Sequence, residues 1–263
     1  MKVFIMTDME CVSGITCAEF LKTDSPSYQI TKENLTHDLN AVVEGCFQAG
    51  ASEVHVKDGH GAPNNLQMSF LDERVQVNHG TLHNFTGLDE SFDAYMLVGQ
   101  HAKAGTENAF LDHTQSTAQV FDYTVNGISL GETGQLALMA GHYDIPIVFI
   151  SGDDAGCKEA ADLLPGIETV SVGKATGRNL LSCRPPQLTR QEMTEKAKKA
   201  LLKNKEEQVK PYKLNLPLTI QLTFQRTEMA DANIRLRNNK KRIDGRTVEM
   251  KVDTAEHVLE IFV

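Results

Sequence analysis

A basic block is missing from this sequence. The 263 residues carry 35 Asp and Glu against 26 Lys and Arg, a formal net charge of −9. An acidic balance repels phosphate backbones, so nucleic acid is not expected as a partner. No uncharged apolar run approaches the roughly 18 residues a membrane span needs, so no membrane partner is expected either. The first apolar run stops at Asp8 with no basic segment before it, which does not fit a secretory signal. CxxC pairs are also lacking. The five cysteines (Cys11, Cys17, Cys46, Cys157 and Cys183) are odd in number and scattered. That pattern excludes a disulfide framework or zinc knuckle and predicts reduced thiols in a cytoplasmic protein. Repeats and low-complexity tracts are absent too.

What is present alternates between strand and helix signals. VFIM (3–6) is a short continuous apolar run, as in a strand covered on both faces. Thr31 is a plausible N-cap for a helix over 32–49, with Leu35, Leu39, Val42, Val43 and Cys46 at helical spacing and Gly50 as the stop. Strands are predicted at EVHV (53–56), VQVN (75–78) and AYMLVGQ (94–100). VFDYTVNGISL (120–130) reads as a hairpin turning at Asn126-Gly127. A helix over 133–144, a strand in PIVFISGDD, a helix at 158–165 and a strand at 168–173 follow. The order predicts an α/β fold with a mainly parallel sheet flanked by helices. Pro185-Pro186 reads as a linker. A charged helix (189–208), LTIQLTF, a helical stretch near 227–237, RTVEMKV and a last helix at 254–262 then suggest a smaller α+β domain. The expected division is 1–185 and 186–263.

The chemistry-bearing residues fall just past predicted strands. Asp8 and Glu10 are two apart, so in an extended segment they share one side while Met9 faces the other. His60 follows EVHV between Gly59 and Gly61. His101 follows AYMLVGQ. Glu132 follows the hairpin between two glycines. Ligands of open parallel sheets bind beyond the carboxyl ends of the strands. Three carboxylates and two imidazoles form a donor set for zinc or a similar divalent ion. Five donors exceed the usual three of a catalytic zinc and suit two ions sharing one carboxylate. His113, in LDHTQS, reads alone as a surface histidine, or as a base or nucleophile on a loop over the site. His37, His55, His79, His83, His142 and His257 read as structural, and Cys11 as a small buried thiol.

TDMECVSG, DGHGAPNNL, GQHAKAG, LDHT, GETGQLAL and IPIVFISGDD, in this order, resemble the DppA-type D-aminopeptidases, zinc peptidase family M55. The similarity runs through about residues 1–175 and more weakly beyond. It implies a binuclear zinc aminopeptidase acting on short peptides with an N-terminal D-residue such as D-alanine. By the resemblance, Asp8 bridges two zinc ions, with Glu10 and His60 on one and His101 and Glu132 on the other. His113 maps onto the family's candidate catalytic histidine. The resemblance also implies a homo-oligomer, two stacked pentamers forming a decamer. Two departures stand out: Cys11 replaces a glycine beside the metals, and Lys103 stands where arginine is common.

The rival reading is a magnesium-dependent phosphatase of the haloacid-dehalogenase type, with KVFIMTDME and the pair Asp153 and Asp154 as its acidic motifs. It leaves His60, His101 and Glu132 without a role. A dinucleotide-binding dehydrogenase lacks its GxGxxG turn. A periplasmic-type peptide binder needs neither five metal donors nor a chain without an export signal.

Overall fold

The computed structural model describes residues 1–61, 64–78 and 87–263; His79 and His83 lie outside these. Six strands form a parallel sheet: β1 (Lys2–Thr7), β2 (Glu53–Asp58), β3 (Val75–Asn78), β4 (Ala94–Gln100), β7 (Ile147–Gly152) and β8 (Glu168–Ser171). Their order is β3-β2-β1-β4-β7-β8. β1 is central, in parallel register with β2 on one side and β4 on the other. The strand order reverses between β1 and β4, where an open α/β sheet forms its crevice.

Alternation along β1 builds two cores. Val3 and Ile5 pack with Leu35, Leu39, Val42, Val43 and Cys46 of α1 (Pro26–Gln48) and with Met193, Ala197, Ala200 and Leu201 of α4 (Pro186–Glu207). Phe4 and Met6 pack on the other face with Leu136, Ala137 and Ala140 of α2 (Glu132–His142) and Ala160 of α3 (Asp154–Leu163). Both faces are covered, so the inner strands β1, β4 and β7 are buried almost throughout.

A second, antiparallel sheet has the order β12-β13-β11-β5-β6. Its strands are β5 (Val120–Val125), β6 (Ile128–Ser129), β11 (Leu218–Phe224), β12 (Lys240–Arg242) and β13 (Thr247–Val252). Its core takes Leu138 and Met139 from α2, whose other face serves the parallel sheet. A helix wedged between two sheets has little solvent-facing side, and Thr133 to Gly141 are all buried. The position expected as a domain boundary near 186 is crossed both ways. β5 pairs with β11 from below it, and α4 packs on α1 from above it.

Several elements differ from the sequence expectation at their ends. α1 begins at Pro26, capped by the Ser25 side chain on Ser27 N, with proline at the first turn. Thr31 lies inside the helix instead, its hydroxyl donating to the carbonyls of Phe20 and Ser27. SCRPPQLT is no linker: it closes β10 (Leu180–Cys183), which pairs with β9 (Gly173–Gly177), and then opens α4. The last helix is two short 3-10 turns, Ala255–His257 and Glu260–Phe262. The hairpin turn is as read, with Asn126 and Gly127 both at positive φ.

Candidate metal centre

Asp8 and Glu10 sit on a turn directly after β1. Asp8 N donates to Val98 O at 2.7 Å and Cys11 N to Gly99 O at 2.9 Å, so the turn is stitched to the end of β4. Met9, Cys11, Val12 and Ile15 are buried in the α1/α4 core and anchor it from below. Gly99 has φ +83°, and a Cβ there would run into the Asp8 carbonyl. Burial pushes the Cys11 thiol pKa well up, aided by the Asp153 charge, so it is a protonated packing group rather than a nucleophile.

His60 follows β2 after Gly59, which has no room for a Cβ beside Met6 and the Thr7 carbonyl. Its own carbonyl accepts from Asn65 Nδ2 at 3.0 Å. Asn65 also donates to Asp58 and accepts from Tyr28 OH at 2.6 Å. His101 follows β4 and is 2% exposed. Glu132 does not end a strand, as its sequence context suggested. It is the first residue of α2, where the helix dipole favours a carboxylate. Three strands and one helix start therefore supply the donors.

The structure brings all six candidates together. His60 Nδ1 lies 3.0 Å from Asp8 Oδ1 and 3.1 Å from Glu10 Oε2. His101 Nε2 lies 3.6 Å from Asp8 Oδ2 and 3.5 Å from Glu132 Oε1. His113 Nε2 lies 3.7 Å from Glu132 Oε1 and 3.9 Å from Glu10 Oε1. Asp8, Glu10 and His60 offer donor atoms within 4.8 Å of one another, and so do Asp8, His101 and Glu132. A third grouping of that kind is Glu10, His101 and His113.

The donor set fits a divalent ion. His101 Nε2 is buried and has no hydrogen-bond partner, while two carboxylate oxygens stand just beyond hydrogen-bond reach. Donors each ~2.1 Å from a tetrahedral ion lie about 3.4 Å apart, close to these separations. The other ring nitrogen, Nδ1, faces the Ala102 carbonyl at 2.9 Å and must donate to it, so in the neutral ring the lone pair is on Nε2. Burial and ionic neighbours oppose each other here. Burial raises the Asp8 carboxyl pKa, but His60 and His101 outweigh that and hold it well below the usual range. Burial likewise raises Glu132, and His101 brings it below its ordinary value. Burial lowers His60 and His101, yet Glu10 and Asp8 drive the first well above the usual range, and Glu132 chiefly the second. Without a metal, protons on the two imidazoles balance the carboxylates. A cation does the same work.

Asp153 and Asp154, the acidic pair of the phosphatase reading, are not part of this cluster. Asp153 caps α3 through Gly156 N at 2.8 Å and holds Phe110 N at 2.8 Å. Asp154 pairs with the Ser171 hydroxyl. Among the described residues, no cluster of possible metal donors includes either. Lys103 Nζ lies 2.8 Å from Ser129 Oγ. Sequence reasoning missed Gln115, whose backbone N donates to Glu132 Oε1 at 2.7 Å. It also missed Asp112 and Arg178, which hold the loop carrying His113. Gln115 stands two residues from His113, but nothing in a sequence foretells its left-handed φ of +61°.

Comparisons with known proteins place the chain in a family. A D-aminopeptidase of Bacillus subtilis (strain 168) is 32% identical over 214 residues, covering 80% of this chain and 77% of its own. A solved structure, described as the Zn-dependent D-aminopeptidase DppA from Bacillus subtilis, a self-compartmentalizing protease, superimposes with a TM-score of 0.94 at 27% identity. That match covers all of this chain and 95% of the other. The D-aminopeptidase family, Peptidase_M55, matches residues 1–263, and the chain belongs to it.

Proposed function

We propose that this metallo-aminopeptidase is a binuclear zinc enzyme. Its proposed substrates are short peptides with an N-terminal D-residue such as D-alanine. Zinc is supported by the mixed imidazole and carboxylate donors and by the metal dependence of the similar DppA. The observation that carries two ions is the divided carboxylate of Asp8. Its Oδ1 faces His60 and its Oδ2 faces His101. In this reading Asp8 would serve both ions, with Glu10 and His60 completing one site and His101 and Glu132 the other.

When bound, the zinc pair supplies Lewis acidity and lowers the pKa of water. The remaining work falls to side chains. His113 Nδ1 donates to the Leu111 carbonyl at 2.8 Å, so in the neutral ring Nε2 carries the lone pair and faces the centre. From there Nε2 can take a proton from the attacking group and return it to the departing amine, or attack the carbonyl itself. Asp8, Glu10 and Glu132 supply the charge that holds a peptide's N-terminal ammonium or the ions. Self-compartmentalization of DppA supports a homo-oligomer here, in which only small flexible peptides reach the centre.

The test is metal content of the dialysed protein together with peptide hydrolysis. About two zinc per chain, with D-alanyl dipeptide cleavage lost on chelation and restored by zinc, is expected. One zinc per chain in a fully active enzyme removes the bridging role of Asp8. Cleavage of L-peptides alone removes the D-specificity.

A further inference from the structure

His113 reaches the centre on a loop whose backbone is unfavourable by itself. Leu111 has φ +50° and Gln115 φ +61°, left-handed conformations that non-glycine residues adopt rarely. The Leu111 conformation turns its carbonyl onto His113 Nδ1. Glu132 and Gln135 hold Gln115, while the contacts of the Leu111–Asp112 side converge on one residue from a distant part of the chain. Arg178 lies in the turn between β9 and β10. Its carbonyl accepts from Leu111 N at 2.7 Å. Its Nε pairs with Asp112 Oδ1 at 3.1 Å. Its Nη2 donates to the Asp112 carbonyl at 3.2 Å and to Thr117 Oγ1 at 3.3 Å. The other oxygen of Asp112 accepts from Gly105 N at 2.7 Å, tying both ends of the loop together.

We propose that Arg178, acting through Asp112, is the positioning residue that aims His113 at the metal centre. The proposal rests on the assigned role of His113. Arg178 reaches Leu111, Asp112 and Thr117, the strained stretch on either side of the histidine. A planar guanidinium engages a carboxylate, a carbonyl and a hydroxyl at once, which a lysine ammonium cannot match in geometry. Arg178 is also exposed, at 40% of its side chain, so its replacement leaves the cores intact.

The experiment compares zinc-loaded wild type with Arg178→Ala, Arg178→Lys and Asp112→Asn. Steady-state kinetics use a D-alanyl dipeptide and its C-terminal amide. Zinc content is measured for each, and the His113 ring is followed by 15N NMR of imidazole-labelled protein. A displaced catalytic group costs on the order of 100-fold in rate, so kcat is expected to fall by at least ~10-fold in Arg178→Ala with KM and zinc content unchanged. Arg178→Lys recovers part of the loss. The NMR signature of protonated Nδ1 weakens in parallel. A rise in KM for the dipeptide but not the amide overturns the proposal, since Arg178 would then read the substrate carboxylate. Unchanged kcat with an unchanged His113 spectrum also overturns it. If wild type cleaves no peptide, the functional reading fails, and the NMR comparison still decides whether Arg178 fixes His113.

Discussion

The imidazoles of His101 and His113 lie parallel, with ring centroids 3.9 Å apart and planes 11° from coincidence. Each gives its Nδ1 proton to a backbone carbonyl, Ala102 for one and Leu111 for the other. Each turns Nε2 toward Glu132. The two differ in what they reach. His101 Nε2 stands between Asp8 and Glu132 at ligand-like separations, whereas His113 Nε2 lies farther from its nearest carboxylates.

In the proposed assignment His101 is a zinc ligand and His113 a catalytic group. His113→Ala is expected to keep its zinc and lose activity by roughly 100-fold or more, the size of a general acid–base contribution. His101→Ala and Asp8→Ala are expected to lose zinc and activity together. Elemental analysis beside a peptidase assay reads both. Loss of zinc in His113→Ala would make it a ligand, and the third grouping with Glu10 and His101 would become the better description of one site.

The metal-free centre makes stability depend on pH in a stated direction. His60 and His101 have pKa values raised by their carboxylate neighbours. A raised folded value stabilises below the unfolded value, and that contribution disappears as pH rises through the folded one. Asp8 and Glu132 are lowered, so their contribution is present above the ordinary carboxylate range and is lost as pH falls through their folded values. Chelated protein is therefore expected to lose thermal stability as pH rises from about 6.5 through the raised imidazole values. Zinc competes with those same protons, so the gain in Tm on adding zinc grows with pH. Thermal unfolding of chelated and zinc-loaded protein across this range is the check. Chelated protein that becomes steadily more stable toward alkaline pH would contradict the imidazolium–carboxylate balance.

The residues that announced themselves in the sequence did so through position. A carboxylate or imidazole immediately after an apolar run is visible as a pattern, and Asp8, Glu10, His60 and His101 all follow strands of one parallel sheet. Glu132 was legible as a residue next to the expected helix over 133–144, and α2 starts one position earlier, at Glu132 itself. The contacts that cross position 186 are not legible locally, for a physical reason. β5 and β6 form a local hairpin, and nothing local shows that β5 pairs with the far later β11. α4 is strongly charged along its length, yet Met193, Ala197, Ala200 and Leu201 make a narrow stripe sufficient to dock on α1. The partners of His113 were invisible because they depend on long-range contacts and on left-handed backbone at Leu111 and Gln115.

Gly99 gives the sharpest test that the site depends on backbone packing and not on donor side chains alone. It lies in β4, one residue before Gln100 and two before His101, with φ +83°. Its carbonyl accepts from Cys11 N at 2.9 Å, and its missing Cβ is what lets the Asp8 carbonyl approach. Gly99→Ala adds one methyl group with two consequences. The left-handed conformation costs an L-residue roughly 1–2 kcal/mol. The collision is with backbone, which cannot swing aside like a flexible side chain, so the turn carrying Asp8 and Glu10 must shift or β4 must. Overpacking of this kind costs about 1–3 kcal/mol more. The expected variant is folded but less stable, and binds zinc more weakly although every donor is present. Competitive zinc titration beside thermal unfolding of the chelated protein separates the two effects. Equal loss of stability in chelated and zinc-loaded forms would mean that the strain stays in the strand and never reaches Asp8. A larger loss in the zinc-loaded form is the result expected if Gly99 sets the position of the Asp8 carboxylate.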